Sequence, residues 1–312
     1  LLIQLLNICN SFNRGVKYFI LTLLFSTFCY SSQNINSFIE QSKLYENSYW
    51  SKLLHYRNGE SEIDSDNFFI SKDGKTDLKK ELFETINSLK NGENSVLCRF
   101  PLRVEWLKKN IPNLEKEIVV YPCPKLDEYL NAVDAKYVTL VFPTAHINSP
   151  ASMYGHTFLR VSSSEDTPLV SNAINFAAKT DDTNGLIFAY KGLFGEYEGR
   201  YSILPYYEKI KEYNNLEQRD IWEYDLNLTK EEIDRLVLHS FELKDVYSDY
   251  FFFKENCSYN ILWLLEVARD DLDLVSQFSF KTVPLDSIKI LKPYNLIKGT
   301  KFRYSNMQRM KN

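Results

Sequence analysis

The chain has 312 residues, which is enough for one large domain or two modest ones. Hydrophobic residues make up 44% of it and aromatic residues 15%, a composition that excludes an intrinsically disordered protein. The formal net charge is only -4, and charges of both signs are interspersed along the chain, which argues against nucleic acid as a partner.

Residues 1–31 have the pattern of a secretory signal peptide. Two basic residues precede an uncharged apolar run at residues 18–28, and small residues follow it. The run is shorter than the ~20 apolar residues of a membrane-spanning helix. A lipoprotein signal ending at Cys29 is the competing interpretation, which the bulky Phe28 before it disfavours. We therefore expect export, with the residues before position 16 an upstream extension of the reading frame.

Residues 35–125 are predicted to form a helical N-terminal domain. Apolar residues at helical spacing indicate one amphipathic helix over residues 37–57 and a second from Asp77 to Leu89. The short apolar run at residues 68–70 lies between polar turns and favours an extended segment.

Three cysteines remain after the predicted signal peptide: Cys98, Cys123 and Cys257. In an oxidising compartment two of them are expected to pair, and Cys98 and Cys123 are the natural pair. Two unrelated buried thiols are the alternative. A bond between them would stabilise the fold by about 3 kcal/mol. Either way, Cys257 is left over as a free thiol.

From Tyr137 onward the pattern changes to strands, for which an antiparallel sheet is the simplest arrangement. The predicted strands cover residues 137–142, 156–161, 169–176 and 220–225. Helices or turns are expected around residues 185–194 and 205–213. Thr229 and Glu232 have capping-box spacing and predict the start of a helix that continues to about Lys244.

Cys257 is the candidate nucleophile. An apolar helix is predicted to begin at or just after Asn256, which places Cys257 in its first turn. There the helix dipole and unpaired backbone N–H groups favour the thiolate, which is the reactive form. Asn256 is a candidate either to cap the helix or to donate to an oxyanion. A free cysteine packed in the core is the alternative interpretation.

Of the four histidines, His156 is the candidate base. A turn-rich loop brings it to the start of a strand, and Gly155 permits close backbone approach. His146 is a second candidate or a helper, whereas His55 and His239 are interpreted as structural or surface residues. A cysteine–histidine pair needs a third group to orient the imidazole, and Asn175 on the next strand is our candidate. The alternative for Asn175 is a sheet residue that forms only local hydrogen bonds. The alternative for His156 is a structural residue at a strand end.

The sequence predicts neither a metal site nor a cofactor. The cysteines are too widely spaced for a Cys-x-x-Cys site, and His146 and His156 lie ten residues apart without a carboxylate at helical spacing. A G-x-S-x-G nucleophile turn is absent from the sequence, which excludes that type of serine hydrolase.

Five ordered motifs give the chain a family resemblance. Between about residues 135 and 303 it resembles the N-terminal periplasmic domain of the lipoprotein intramolecular transacylase (Lnb) family. The motifs are NSPASMYGHTFLR at residues 148–160, AINFAA at 173–178, GLFGEY at 192–197, RDIWEY at 219–224 and ENCSY at 255–259.

The resemblance implies a fold, a location and an activity. The implied fold is α+β, an antiparallel sheet packed with helices in a circularly permuted papain-like (NlpC/P60-like) core behind the helical N-terminal region. The implied location is periplasmic. The family enzyme moves an acyl chain from the glyceryl group of a diacylated lipoprotein to its N-terminal amine, and the matching motifs carry the nucleophile onto Cys257 and the base onto His156. That enzyme is membrane-embedded, whereas this sequence has no spanning segment after its leader.

Three functions follow from the sequence. The first is a cysteine-dependent acyltransferase or thioesterase that acts on an acylated lipid or lipoprotein, with peripheral membrane contact as a further expectation. In that case the aromatic run at residues 250–253 lines an acyl groove, with core packing as the alternative role for at least half of it. The second is a cysteine peptidase or amidase acting on cell-wall peptides. The third is a non-catalytic envelope binding module, which predicts an unreactive Cys257.

Overall fold

The computed structural model describes residues 35–144, 155–164, 170–180, 184–278 and 282–310. The predicted signal peptide, Cys29, His146 and residues 148–154 of the first motif lie outside these ranges.

The described residues form thirteen α-helices and nine strands. The α-helices are α1 (Ile35–Ser42), α2 (Ser48–Leu53), α3 (Leu78–Lys90), α4 (Asn94–Arg99), α5 (Pro101–Asn110), α6 (Leu114–Glu117), α7 (Pro124–Val133), α8 (Gly185–Phe194), α9 (Tyr206–Ile210), α10 (Lys230–Glu242), α11 (Cys257–Ala268), α12 (Pro284–Lys289) and α13 (Asn306–Arg309). The strands are β1 (Tyr56–Arg57), β2 (Glu60–Ser61), β3 (Tyr137–Pro143), β4 (Phe158–Ser162), β5 (Asn172–Ala178), β6 (Tyr197–Pro205), β7 (Ile221–Leu226), β8 (Tyr247–Tyr250) and β9 (Ile297–Arg303). Short 3-10 helices occur at Leu44–Glu46, Asp66–Phe68 and Val275–Gln277, and a π-helix occurs at Lys211–Leu216.

Helix α1 lies in a compact unit that ends at Lys43, and the remaining elements form a second unit. In this second unit, seven strands form one antiparallel sheet in the order β8-β6-β5-β4-β3-β7-β9. The predicted α+β class with an antiparallel sheet is confirmed. The strands predicted from the sequence are the neighbours β5, β4, β3 and β7, whereas β6, β8 and β9 were not predicted as strands.

The centre of the sheet is buried on both faces. Six of the seven residues of β3 and all five of β4 are buried, as expected for strands covered on both sides. Helix α11 contacts β4 and β5 and is itself buried along its whole length. A helix that is apolar all round must be enclosed, which fits its sequence CSYNILWLLEVA.

Residues 49–62 hold α11 through side-chain hydrogen bonds. The Tyr49 hydroxyl donates to the carbonyl of Val267 at 2.7 Å, and the Trp263 indole N–H donates to the Glu62 carboxylate at 2.8 Å. Arg57 donates to the Tyr259 hydroxyl, also at 2.7 Å. These contacts fix the helix that begins with Cys257.

The single helix predicted over residues 37–57 is wrong. Helix α1 ends at Ser42, Lys43 has a left-handed φ of 51°, and Asn47 starts α2 by accepting a hydrogen bond from the Tyr49 backbone N–H at 2.9 Å. The apolar periodicity runs through this break, since side-chain spacing carries no information about a backbone turn and a cap.

The short strand or extended segment predicted at residues 68–70 is extended only at Phe69 and pairs with no other strand among the described residues. Phe68 ends a 3-10 helix, and the backbone N–H groups of Ile70 and Ser71 donate to the Glu81 carboxylate at 2.9–3.0 Å. A side chain therefore satisfies the donors that a neighbouring strand would have used.

Two predicted helices are confirmed with their caps. Helix α3 follows Asp77, whose carboxylate accepts from the Lys80 backbone N–H at 2.9 Å. Helix α10 follows Thr229, and the predicted capping box with Glu232 is present in both directions.

The predicted disulfide between Cys98 and Cys123 is present, with a Cα–Cα distance of 5.3 Å. It links α4 to the residue that precedes α7, across a sequence separation of 25 residues. We expect the double variant Cys98→Ser/Cys123→Ser to lose about 3 kcal/mol of unfolding free energy, because the unfolded chain regains the conformational entropy that the disulfide removes. Urea unfolding measures this loss.

Reduced wild-type protein is the control for the disulfide. A reductant should lower the wild-type unfolding midpoint to that of the double variant and leave the variant unchanged. Equal midpoints for the oxidised wild type and the variant would show that the bond contributes no stability.

Candidate active site

Cys257 is the first residue of α11 and is only 3% exposed. Asn256 accepts hydrogen bonds from the backbone N–H groups of Ser258 and Tyr259, at 3.0 and 3.3 Å. Its side-chain nitrogen donates to the carbonyls of Phe252 and Thr282, at 3.1 and 2.7 Å. Asn256 is therefore the helix cap, one of its two predicted roles. Donation to an oxyanion would require one of these carbonyl bonds to break.

Backbone geometry places His156 next to Cys257. Gly155 has a φ of 90°, and a Cβ at this position would lie 2.7 Å from the Phe142 ring and 3.3 Å from the Pro143 carbonyl oxygen. Only glycine fits this turn without strain. The imidazole that follows interacts with the Cys257 thiol, and the hydroxyl of the adjacent Ser258 donates to that of Thr157 at 2.9 Å.

Asn175 lies on the other side of the imidazole. His156 Nε2 is 2.6 Å from Asn175 Oδ1, and the Asn175 amide donates to the Ser202 hydroxyl at 3.4 Å on the neighbouring strand β6. Since an amide oxygen only accepts, Nε2 carries the proton. The other ring nitrogen, Nδ1, is then left to accept the thiol proton. The structure thus brings the three predicted residues into one contact series, while their catalytic roles stay a prediction.

Two further residues fix the position of the imidazole. The Tyr213 ring lies 5.9 Å from the His156 ring between centroids. Arg219 lies over Tyr213 and donates to the carbonyls of Pro143 and Thr144, at 3.0 and 2.5 Å. Arg219 thereby ties the end of β3 to the start of β7. The sequence motif at residues 219–224 contained Arg219 without indicating this role.

Tyr250 is the contact that sequence reasoning missed. Its hydroxyl interacts with both the side chain and the backbone of Cys257. The Thr157 backbone N–H also favours the charged form of the sulfur. The sequence placed Tyr250 in an aromatic run with apolar roles only, because the pairing of Tyr250 with Tyr197 across β8 and β6 is not visible from local pattern.

The electrostatics favour a thiolate. Burial raises the pKa of the Cys257 thiol. The His156 charge and the hydrogen bonds from His156, Thr157 and Tyr250 outweigh burial and lower this pKa to about 7. Burial lowers the pKa of His156, but the Cys257 thiolate and the Asn175 amide outweigh it and raise the net value. Burial and the nearby thiolate hold the pKa of Tyr250 well above its usual range, so its hydroxyl stays a donor.

Tyr250→Phe tests the hydroxyl contact. Loss of a donor to the sulfur is expected to raise the pKa of Cys257 and to slow its alkylation by iodoacetamide at neutral pH by about three- to tenfold. The alkylation rate as a function of pH measures this shift, with a Cys257→Ala protein subtracted as background.

Tyr247→Phe is the matched control. Tyr247 lies in the same strand with its ring against Arg200, so loss of its hydroxyl should leave the pH profile of Cys257 unchanged. Identical profiles for Tyr250→Phe and the wild type would remove Tyr250 from the set of groups that tune the thiol.

His55 and His239 have structural contacts. His55 and His239 are buried with their Nε2 atoms 3.0 Å apart, and His239 Nδ1 lies 2.8 Å from the Glu242 carboxylate. They are core residues, the first of the two interpretations that the sequence allowed. Among the described residues, no cluster of three or more histidine, cysteine or acidic side chains could hold a metal ion.

A buried thiol paired with an imidazole, at the junction of a helix start and an antiparallel sheet, defines an α+β protein with a cysteine–histidine site. The chain belongs to the Lnb N-terminal periplasmic domain family, whose model matches residues 125–294, more than half of the sequence. A second model, a domain of unknown function (DUF7843), matches residues 42–110. No curated protein and no solved structure matches the chain.

Membership of this family implies an extracytoplasmic location and a function related to lipoproteins. Within the ranges that the structure describes, no helix is long and apolar enough to cross a membrane.

Proposed function

We propose that the protein is an extracytoplasmic cysteine-dependent acyltransferase that acts on an acylated lipoprotein or lipid. Cys257 is the nucleophile and His156 the base. The observation that supports this most directly is the series of contacts from Asn175 through His156 to Cys257 at the start of α11, in which the imidazole lowers the thiol pKa to about 7. Family membership supports a lipoprotein-related substrate.

The first half-reaction forms an acyl-enzyme. The Cys257 thiolate attacks the carbonyl carbon of an ester, so that a C–S bond forms and the C–O bond to the glyceryl oxygen breaks. The imidazolium of His156 gives its proton to that oxygen, which leaves as an alcohol. Asn175 holds the ring so that Nε2 keeps its own proton and Nδ1 carries the proton that is transferred.

The second half-reaction transfers the acyl group. An amine attacks the thioester carbonyl, the C–N bond forms, and the C–S bond breaks to return the thiolate. Neutral His156 takes the proton that the amine loses, which restores the starting ion pair. The Tyr250 hydroxyl lies beside the sulfur and the Cys257 backbone, where it is placed to donate to the oxyanion in both half-reactions.

The chain order supports a circularly permuted papain-like plan. The histidine precedes β4, its amide partner lies on β5, and the cysteine begins a helix more than eighty residues later. We include this plan in the proposal, because it places the base and its orienting group on adjacent strands and the nucleophile at a helix N-terminus.

The function is tested by product analysis of a diacylated lipopeptide with a free N-terminal amine. Mass spectrometry should show an N-acylated peptide that has lost one ester-linked chain, at unchanged total mass. Cell-wall peptide fragments are the parallel substrate, because the same three side chains suit amide hydrolysis. Cleavage of those fragments without any change in the lipopeptide would overturn the proposal in favour of a peptidase or amidase.

A further inference from the structure

Helix α8 presents an apolar face to solvent. Five of its ten residues recur at the spacing of one helical face and expose between 46% and 84% of their surface. They are Leu186, Ile187, Tyr190, Leu193 and Phe194. The helix is well formed, since Asn184 caps its start and Gly195, with a φ of 75°, ends it. An apolar patch of this kind on an ordered helix indicates a surface that another body covers.

The opposite face of α8 packs on the segment that leads to Cys257. The Phe188 ring lies 5.0 Å from the Phe252 ring, and the Phe252 backbone N–H donates to the Gly192 carbonyl at 2.8 Å. A Cβ on Gly192 would lie 2.3 Å from the Phe252 ring, so the helix and this segment are in close contact.

Helix α8 and the candidate site lie at the same end of the sheet. Strand β5 ends at Ala178 just before α8, and the antiparallel strand β4 begins at this end, directly after His156. Strand β8 also ends here, where Tyr250 pairs with Tyr197. Helix α8 is therefore in contact with the segment that leads to the nucleophile.

We propose that this face of α8, named here the α8 face, docks on a lipid bilayer and brings the site to an acyl chain held there. The choice of a lipid surface rests on the proposed function, because its acyl substrate lies in a membrane. Charge supports it, since none of the five residues of the α8 face is charged and the one charged residue of α8, Lys191, lies 5.7 Å from the Tyr197 ring. Aliphatic residues with Tyr190 and Phe194 are typical of an interfacial helix.

The size of the α8 face argues against a second copy of the chain. Its five side chains expose on the order of 500 Å² of apolar surface, against the ~800 Å² per partner that a standard protein interface buries. A bilayer sets no such minimum, because each apolar side chain that enters it adds to binding independently.

The test is co-sedimentation of the full chain with vesicles of phosphatidylethanolamine containing a minority of phosphatidylglycerol. Ile187→Asp/Leu193→Asp should weaken vesicle binding by about tenfold or more, since two charges enter the apolar face. The matched control is Val170→Asp/Leu216→Asp, which changes two aliphatic residues outside α8 that are 80% and 72% exposed. This control should bind as the wild type does, and thermal unfolding verifies that each variant is folded.

Unchanged vesicle binding by Ile187→Asp/Leu193→Asp would overturn the proposal. So would a wild type that fails to bind vesicles and sediments as a dimer which this variant converts to monomer. Failure of the proposed function is separable, because Cys257→Ala should still bind vesicles fully. Vesicle binding without acyl transfer would contradict the proposed function and leave the docking surface supported. Acyl transfer together with unchanged vesicle binding by the α8 variant would support the function and contradict the docking surface.

Discussion

Cys257→Ala is expected to abolish covalent labelling by an activated-ester acyl probe, with a fall of roughly 10⁴-fold in acylation rate. The sulfur is the atom that bonds to the acyl carbon, and the neighbouring groups only tune or orient it. Intact-protein mass spectrometry measures the mass of the bound acyl chain, and peptide mapping assigns it to the segment that contains Cys257.

The disulfide provides the control for this replacement. Cys98→Ala/Cys123→Ala makes the same chemical change at two bonded sulfurs, which do not titrate and are not available to the probe. Its labelling at Cys257 should persist. Equal labelling of Cys257→Ala and the wild type would remove the covalent mechanism and leave a non-catalytic envelope module.

Local pattern predicted β5, β4, β3 and β7 but missed the interior strand β6 and both edge strands, β8 and β9. Strand β3 is a largely apolar run, so its own residues predict its burial. Strands β8 and β9 contain many polar residues, and β9 is largely exposed on the sheet edge. Such strands form because a neighbour offers hydrogen bonds, and that neighbour is distant in the sequence.

The same distinction applies to the site. Asn175 was a reasonable candidate because adjacent predicted strands bring their side chains together, and the structure places it against His156. The thiol of Cys257 stood out because the other two cysteines had a natural pairing. Tyr250 could not be found this way, since its hydroxyl reaches the sulfur only through the pairing of β8 with β6. A residue that acts through tertiary geometry leaves no spacing signal.

His156→Gln is expected to shift the pH dependence of Cys257 alkylation upward. In the wild type, the His156 charge and hydrogen bond are the largest of the effects that lower the thiol pKa to about 7. Without them burial dominates, and burial disfavours the charged form, so the pKa should rise to at least the ordinary ~8.5. At neutral pH, where about half of the wild-type thiol is ionised, the thiolate fraction and the alkylation rate should therefore fall by about fifteenfold or more. Iodoacetamide rates measured across the pH range give the two midpoints.

Asn175→Ala separates charge from orientation. This variant keeps the imidazole but removes the oxygen 2.6 Å from Nε2, so the ring is freer to turn and its charge is less well placed. Its midpoint should lie between those of the wild type and His156→Gln. If the midpoint of His156→Gln matched the wild type in a folded protein, the helix terminus and backbone donors alone would set the thiol pKa. The cysteine–histidine pair would then be a contact without chemical consequence, and the acyl-transfer mechanism would lose its base.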